Sequence, residues 1–362
     1  MYKRQRYNNM TGELKHKIID SITQNEDEEY CFKLCDGKCP MLDDNGLCEI
    51  HKNLGEDYLG VVCKQFPRYS EYYGTIKESG IGLACEEAAR IILSENRPFS
   101  METAACDEEY EPSSEYDSSF ALQIFAAREA VFKILAKESL SIHEKLIVIL
   151  DMGSKIQQCI NTDEYDNIKS VVNDYLKEGI AHTLDETRNL SDSGQFEDIS
   201  LQQGIRQILY PYEEMEVLNP EWEVILKDII DSLFEQMSDE EYNILNEEFG
   251  TYMVSRAYEY RQLLEYLVFR YFAKSIYDYD FLGKCQMLVT NFFVIRQMDI
   301  IRWLDNHREY SFKDRMDVVH IFSRQVEYSE DNIENLYEDF IFDDIFKTDS
   351  LIAILWIDSE NI

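Results

Sequence analysis

The sequence predicts a mainly α-helical protein in which a small cysteine- and glycine-rich loop module precedes an irregular helical bundle. Glycine and proline are scarce, with 14 and 6 among 362 residues, whereas average usage is about 7% and 5%, and turn-rich all-β proteins need more. Six of the nine cysteines and seven of the glycines lie between Cys31 and Cys85. Beyond them, apolar residues recur at helical spacing, and 45% hydrophobic content allows a substantial core.

The chain is expected to form two domains. The loop module occupies roughly residues 25–90, where glycines permit tight turns close to the cysteine sulfurs. The polar, acidic stretch from Asp107 to Ser119 is typical of a linker. We therefore expect a cysteine-rich metal-binding module with flanking helices over 1–106 and an all-helical domain over 107–362.

Individual helices of the second domain can be recognised from their stripes and caps. One apolar stripe runs along Phe120, Ile124, Ala127, Val131 and Ile134, at spacings of three and four. Further helix starts carry a capping residue followed by a carboxylate or a proline. These pairs are Ser141 with Glu144, Asn219 with Pro220, and Ser238 with Glu241.

The last third of the chain predicts long, buried helices. Segments 250–276 and 284–305 are almost free of helix breakers. The aromatic run from Tyr266 to Phe272 is expected to lie in the core. Because no repeat of fixed period links the helices, we expect an irregular bundle and not a solenoid.

The charge of the protein limits its partners. It has 35 Lys and Arg residues against 71 Asp and Glu, a formal net charge of −36, which repels phosphate backbones and anionic membrane surfaces. No apolar run approaches the roughly 20 residues of a membrane span, and the first residues lack the apolar stretch of a secretory signal. We expect a cytoplasmic protein that binds neither nucleic acid nor membrane.

The cysteine cluster leaves several interpretations open. Its members are Cys31, Cys35, Cys39, Cys48, Cys63 and Cys85. Disulfides are disfavoured by the absent secretory signal and the odd total of nine. Zinc and an iron–sulfur cluster both take four thiolates; zinc sites usually contain a Cys-x-x-Cys turn, which is absent here, and spacing alone does not choose between the metals. An isolated cysteine is often a small buried apolar residue, but this role does not suit six cysteines that lie among many glycines.

The first three cysteines resemble another signature. Cys31, Cys35 and Cys39 are similar to the three-cysteine motif of radical enzymes that cleave S-adenosylmethionine, although the second interval is one residue too long. That fold also requires alternating strands and helices, which the later chain does not predict.

Several segments resemble the flagellin lysine-N-methylase family. The matching features are Cys39-Pro40, Leu47-Cys48, Leu54-Gly55-Glu56, Cys63 with Phe66-Pro67-Arg68, and Cys85 before the helix EEAARIIL. Two distant segments, LLEYLVFRYFAKSIYD (263–278) and FSRQVEYSEDN (322–332), also look like the C-terminal half of the family. Three features depart from the family pattern: the chain begins after the usual first cysteine block, Glu86 replaces a proline, and Tyr328 replaces a histidine.

The resemblance implies an enzyme that transfers methyl groups from S-adenosylmethionine to lysine side chains of flagellin. It also implies a [4Fe-4S] cluster held by Cys39, Cys48, Cys63 and Cys85, with zinc as the alternative metal. One other function is a metal-stabilised module that binds flagellin or an export chaperone without catalysis. Another is a helical scaffold in which the cysteines are inert.

A few other residues are candidates for the site. Arg68 follows Phe66-Pro67 beside a predicted ligand and is a candidate for binding a cofactor carboxylate, or for structural pairing. Arg324 and Glu327 are catalytic candidates, or an ordinary intrahelical ion pair. His51 is either a further metal ligand or a surface residue. No strand leads into Gly80 and Gly82, so no glycine-rich loop locates S-adenosylmethionine.

Overall fold

The computed structural model describes residues 7–8, 10–24, 30–35, 38–97, 99–105, 117–192 and 199–360. Its helices are α1 (Glu13–Asp20), α2 (Glu49–Leu54), α3 (Val61–Gln65), α4 (Glu86–Leu93), α5 (Ser118–Leu135), α6 (Ile142–Asn161), α7 (Ile168–Asp174), α8 (Ile180–Asp192), α9 (Leu201–Glu213), α10 (Pro220–Ile229), α11 (Asp239–Met253), α12 (Ala257–Tyr271), α13 (Ser275–Asp278), α14 (Phe281–Asp305), α15 (Phe312–Val326), α16 (Glu330–Phe342) and α17 (Thr348–Glu360). Its strands are β1 (Ile22–Gln24), β2 (Tyr30–Phe32), β3 (Arg68–Tyr73) and β4 (Ile76–Ile81). The predicted mainly α-helical fold is confirmed.

The chain divides into two compact units, Met1–Tyr69 and Ser70–Ile362. Residues 70–105, which the sequence groups with the cysteine module, therefore belong to the same unit as the large helices. Cys106 and most of the predicted linker lie outside the described residues, and α5 already begins at Ser118 with Asp117 as its N-cap.

The first unit is small and rich in turns. Strands β1 and β2 pair antiparallel, with Thr23 opposite Cys31. Its core consists of Tyr7, Ile18, Met41 and Ile50. With so few apolar residues, this unit gains much less from hydrophobic burial than the helical unit does.

The second unit is built around α14, which is buried along most of its 25 residues. Helix α6 packs along α14, and α9, α10, α12 and α15 also contact it. A helix that is buried on all sides needs neighbours all around it, and the bundle supplies them. The predicted long helix 284–305 is confirmed, and none of the described helices is both long and apolar enough to cross a membrane.

The predicted stripes and caps are present. The five stripe residues of α5 are all buried. Ser141 and Ser238 each form a complete capping box, and the Asn219 side chain accepts from the amide of Glu221 at the start of α10.

The predicted helix 250–276 is wrong as a single element. Helix α11 ends at Met253, a 3-10 turn at Val254–Arg256 follows, and a second 3-10 turn separates α12 from α13. The Arg256 guanidinium fixes the first turn, because Nη1 donates to the Tyr310 carbonyl oxygen at 2.6 Å and Nε donates to Glu259 at 2.7 Å. The Tyr310 contact is distant in sequence, so helix periodicity cannot reveal it.

Strands β3 and β4 form a two-stranded sheet. They are joined by a tight turn at Gly74, whose φ of 60° favours a residue without Cβ. The Ser70 and Ser79 hydroxyls lie 2.8 Å apart across the two strands.

Candidate active site

A buried polar cluster lies between α12 and the end of α15. We call it the Glu327 cluster; its members are Tyr266, Arg270, Tyr271 and Glu327. Tyr266 and Arg270 are four residues apart on α12 and so lie on the same face of that helix. Glu327 is the C-cap of α15, where the chain leaves the helix.

One carboxylate oxygen collects most of the hydrogen bonds of the cluster. Glu327 Oε2 accepts from the hydroxyls of Tyr266 at 2.8 Å and Tyr271 at 3.1 Å, and it lies 3.0 Å from Arg270 Nε. The guanidinium also donates to both tyrosine hydroxyls, each at 3.0 Å. Because the Glu327 side chain is fully buried, these charge-assisted bonds hold the carboxylate in one orientation.

The second carboxylate oxygen has no donor. Glu327 Oε1 is buried and lacks a hydrogen-bond partner among the described residues. A buried carboxylate oxygen without a partner is costly, and such atoms are often completed by a water, an ion or a ligand. Oε1 is therefore the carboxylate oxygen of this cluster whose capacity to accept a hydrogen bond is unused among the described residues.

Burial and charge set the protonation of the tyrosines. The pKa of Tyr271 is raised well above its usual value, first by burial and then by the Glu327 carboxylate. Tyr271 therefore stays protonated and donates to Glu327 at physiological pH.

Tyr328 connects the cluster with Cys85. Burial raises the pKa of Tyr328, with smaller upward contributions from the Glu327 carboxylate and the Cys85 thiol and an opposing one from Arg270. The Tyr328 ring also lies 5.9 Å from the Arg270 guanidinium. Tyr328 is thus close both to the candidate catalytic carboxylate and to a predicted metal ligand.

The segment just before α4, which contains Leu83 and Cys85, also contacts the Glu327 cluster. The amide of Leu83 donates to the Tyr266 hydroxyl at 3.4 Å, and Cys85 is the N-cap of α4. Glu86, which replaces the usual proline, lies in the first turn of α4, where a carboxylate is favoured by the helix dipole.

The two catalytic candidates occupy different places. Glu327 pairs with Arg270 and not with Arg324, so the intrahelical ion pair considered from the sequence is wrong. Arg324 is exposed, and its side chain makes no hydrogen bond or ion pair within the described part of the chain. It lines an open cleft of about 590 Å³. Other residues of that cleft are Glu86, Glu221, Arg302, Asp317 and His320.

The remaining candidates lie in the first unit. Arg68 begins β3 and is exposed, and its side chain makes no hydrogen bond or ion pair among the described residues. His51 is exposed on α2. The cofactor role of Arg68 stays a prediction.

Three of the four predicted metal ligands belong to the first unit. Cys39 and Cys48 pack against its core. The pKa of the Tyr7 hydroxyl is raised first by burial and then by the Cys63 and Cys48 thiols, which places both near it. Cys85 belongs to the second unit.

These thiols do not form a ready coordination site. Every cysteine in the described ranges is free of disulfide bonds. Within the same ranges, no three His, Cys, Asp or Glu side chains are grouped closely enough to hold a metal ion. The ligand set Cys39, Cys48, Cys63 and Cys85 therefore stays a prediction.

The hydroxyls of Tyr266 and Tyr271 and the guanidinium of Arg270 were not recognised from the sequence as site groups. The aromatic run is expected in the core; Tyr266, Tyr271 and Phe272 are buried, whereas Phe269 is only half-buried and lines a cleft. The polar atoms of these residues could have indicated the cluster. Buried tyrosine hydroxyls need hydrogen-bond partners, and an arginine four residues after Tyr266 can provide one.

Comparison with known proteins identifies the class of this protein. Residues 128–354, more than half of the chain, match the family described as "FliB lysine N-methylase C-terminal domain". The chain therefore belongs to the FliB lysine N-methylase family, which confirms the resemblance seen in the sequence.

Individual relatives match over a shorter stretch. The flagellar biosynthetic protein FliU of Salmonella muenchen is 37% identical over 59 residues, which is 16% of this chain and 35% of FliU. The lysine-N-methylase of Salmonella typhimurium is also 37% identical over 59 residues, covering 15% of its own length, and that of Salmonella choleraesuis matches equally. No solved structure gives a significant match.

Proposed function

We propose that the protein is a protein-lysine N-methyltransferase that moves methyl groups from S-adenosylmethionine to lysine side chains of flagellin. The observation that carries this proposal is the family match, which spans the whole Glu327 cluster. The names of the relatives support it, since one set is called lysine-N-methylase and another is a flagellar biosynthetic protein. The excess of acidic residues favours encounter with a lysine-bearing substrate.

The reaction requires a neutral amine. The lysine nitrogen attacks the methyl carbon, an N–C bond forms, and the S–C bond breaks with its electron pair passing to sulfur, which becomes a neutral thioether. The nitrogen must lose a proton to become a nucleophile or to yield the neutral product. We assign acceptance of that proton to Glu327 Oε1, the buried carboxylate oxygen that lacks a donor.

The other members of the cluster act as positioning residues. Arg270, Tyr266 and Tyr271 bind Oε2, so Oε1 remains the oxygen available to the substrate amine. Arg324 lines a separate cleft and is a secondary candidate for binding a cofactor carboxylate.

The predicted metal site is part of the proposal. Four thiolates suit a [4Fe-4S] cluster or zinc, and Cys39, Cys48, Cys63 and Cys85 are the proposed ligands. The described side chains are not grouped in coordination geometry, so no step of methyl transfer is assigned to the metal.

The test is the variant Glu327→Gln, assayed by mass spectrometry of flagellin after incubation with S-adenosylmethionine. Glutamine keeps an oxygen that can accept from Tyr266 and Tyr271 but is a far weaker base, so we expect at least about a hundredfold loss of rate. Glu334→Gln, an exposed glutamate on α16, is the matched control and should retain full activity.

Folding and binding must be measured beside activity, because one partner of a buried ion pair is removed. Circular dichroism should show a folded variant that still binds flagellin. Full activity of folded Glu327→Gln would refute the role of this carboxylate. Wild-type protein that binds flagellin with its metal intact, yet never adds a methyl group, would instead support the non-catalytic binding module.

A further inference from the structure

A second cleft in the helical unit has the form of a groove beside a strand. It has a volume of about 670 Å³ and lies between the β3–β4 hairpin and residues 99–105, with Phe269 of α12 also lining it. One wall of the groove is formed by Thr75 to Ser79 together with Tyr72 of β3, and the other by Phe99 to Ala105.

The groove runs along the edge of β4 and also reaches Tyr72 of β3. Side chains of a strand alternate between the two faces, and four consecutive residues of β4, Ile76 to Ser79, line the groove, so it includes the strand edge. In the described part of the chain, the sheet contains only β3 and β4, and β4 therefore has a strand partner on one side alone. An open strand edge presents backbone donors and acceptors that suit an added strand.

Aromatic contacts and an ion pair lie behind the residues that line the groove. The rings of Phe99 and Phe132 stack at 4.1 Å, and Phe269 lies 5.9 Å from Phe99. Glu78 accepts a bidentate pair of hydrogen bonds from Arg128, at 2.7 and 2.5 Å, and both side chains are largely buried. This ion pair neutralises the Glu78 carboxylate and fixes β4 against α5.

Glu102 is the carboxylate of the groove that remains uncompensated. Its side chain is exposed and has no hydrogen bond or ion pair within the described ranges. Lys77 also lines the groove, with its ammonium over the Tyr72 ring at 5.4 Å, and it forms no ion pair with Glu102 in the described part of the chain. Since the whole protein carries a formal charge of −36, the groove favours an occupant with a positive charge.

The groove and the Glu327 cluster are neighbours on one helix. Phe269 enters the groove, while the next two residues of α12, Arg270 and Tyr271, bind Glu327. A segment lying in the groove is therefore held beside the helix turn that carries the candidate catalytic cluster.

We infer that this groove binds an extended polypeptide segment that carries a lysine, by adding it as a strand along β4. The segment belongs to the methyl-acceptor protein, and this assignment rests on the proposed function. Strand addition itself, and the preference for a positive side chain near Glu102, follow from the groove alone. Hydrogen bonds to the β4 backbone would provide affinity for segments of many sequences, and the Glu102 carboxylate would favour a segment with lysine.

Binding can be measured without any methyl donor. The probe is a short fluorescein-labelled peptide with a central lysine flanked by threonine and valine, and the readout is fluorescence anisotropy with the full chain. Ala104→Arg places a long cationic side chain in the groove and should raise the Kd at least about tenfold. Leu122→Arg, at an exposed position of α5 outside the groove, should leave the Kd unchanged.

The preference for a positive charge is tested with the variant Glu102→Gln and with two peptides, one containing lysine and one containing acetyl-lysine. Glu102→Gln should weaken binding of the lysine peptide about threefold or more, and it should not change binding of the same peptide with acetyl-lysine. Hydrogen exchange should also show slower exchange of β4 amides when the peptide is bound. Equal Kd values for wild type and Ala104→Arg, or unchanged β4 exchange, would overturn the inference.

The outcome for the groove can be separated from the outcome for the enzyme. If the wild type methylates flagellin and Ala104→Arg leaves both KM and Kd unchanged, the groove does not bind the substrate segment, although the proposed methyltransferase activity is supported. If no methylation occurs but the peptide binds as described, peptide binding by strand addition is supported and the proposed methyltransferase activity is not. A dimer that Ala104→Arg converts to monomer, with peptide binding unaffected, would make the groove an interface between copies and overturn the inference.

Discussion

Asp358 illustrates, at the scale of single residues, how buried partners set the charge of a group. The residue lies near the end of α17, fully buried, with Oδ2 2.6 Å from His143 Nε2 and 3.8 Å from Arg296 Nε. Burial alone raises the pKa of Asp358, but Arg296 and His143 outweigh it and lower the pKa to about 2. The carboxylate is therefore ionised across the physiological range.

This lowered pKa predicts a dependence of stability on pH. A carboxyl whose pKa falls on folding stabilises the fold fully above its unfolded pKa, near 4, and the stabilisation is lost as the pH falls toward 2. Asp358→Asn should lower the free energy of unfolding by about 2 kcal/mol at neutral pH. The deficit should be constant down to about pH 4 and shrink below it.

Urea unfolding at several pH values measures this difference. Asp228→Asn, at an exposed position of α10, is the control and should change stability little at any pH. A deficit of Asp358→Asn that grows as the pH is lowered would contradict the assignment.

Glu327 and Arg324 show the limit of sequence reasoning at the same scale. The two residues are one helical turn apart, and their spacing suits an ion pair. Glu327 instead faces a guanidinium supplied by α12, 57 residues earlier in the chain, while Arg324 points to an open cleft. The spacing of residues in the sequence predicts contacts within one helix. It does not predict contacts with side chains of a second helix.

Helix starts were the best predicted features at the scale of elements. Ser141, Asn219 and Ser238 all act as N-caps. A cap is a local interaction between a side chain and amides two or three residues away, so the sequence contains all of its parts. The breaks around α12 were not predicted, because the turn at Arg256 is held by Tyr310, far along the chain.

The capping box of α6 provides a prediction about one element. Ser141→Ala removes the oxygen that accepts from the Glu144 amide, and it should lower the free energy of unfolding by about 1 kcal/mol. Ser139→Ala, at an exposed position without a capping role, should have a negligible effect. Chemical denaturation of both variants measures the difference, and equal stability would show that the cap does not contribute.

At the scale of the whole molecule, two compact units share the predicted metal ligands. Cys39, Cys48 and Cys63 belong to the first unit and Cys85 to the second. The family match begins at residue 128, so it covers none of the four thiols. Their role therefore requires a separate experiment on the complete chain.

That experiment measures metal content after anaerobic purification. If the four thiolates hold one iron–sulfur centre, the wild type should be brown, and substitution of any one of them by serine should lower iron and visible absorption. Cys159→Ser, on α6, should retain both. Zinc in colourless protein, lost by the same variants, would favour the alternative metal; full iron in Cys85→Ser would remove Cys85 from the ligand set.

From the amino-acid sequence we could predict the helical class, the main helix starts, the buried stripes and the family. These depend on local interactions and on residue patterns that can be read along one chain. The folded structure was needed to show that Glu327 binds Arg270 and two tyrosines, that Arg324 lines another cleft, and that β4 borders a groove. The physical reason is that burial and charge pairing arise between segments distant in sequence, and packing alone brings those segments together.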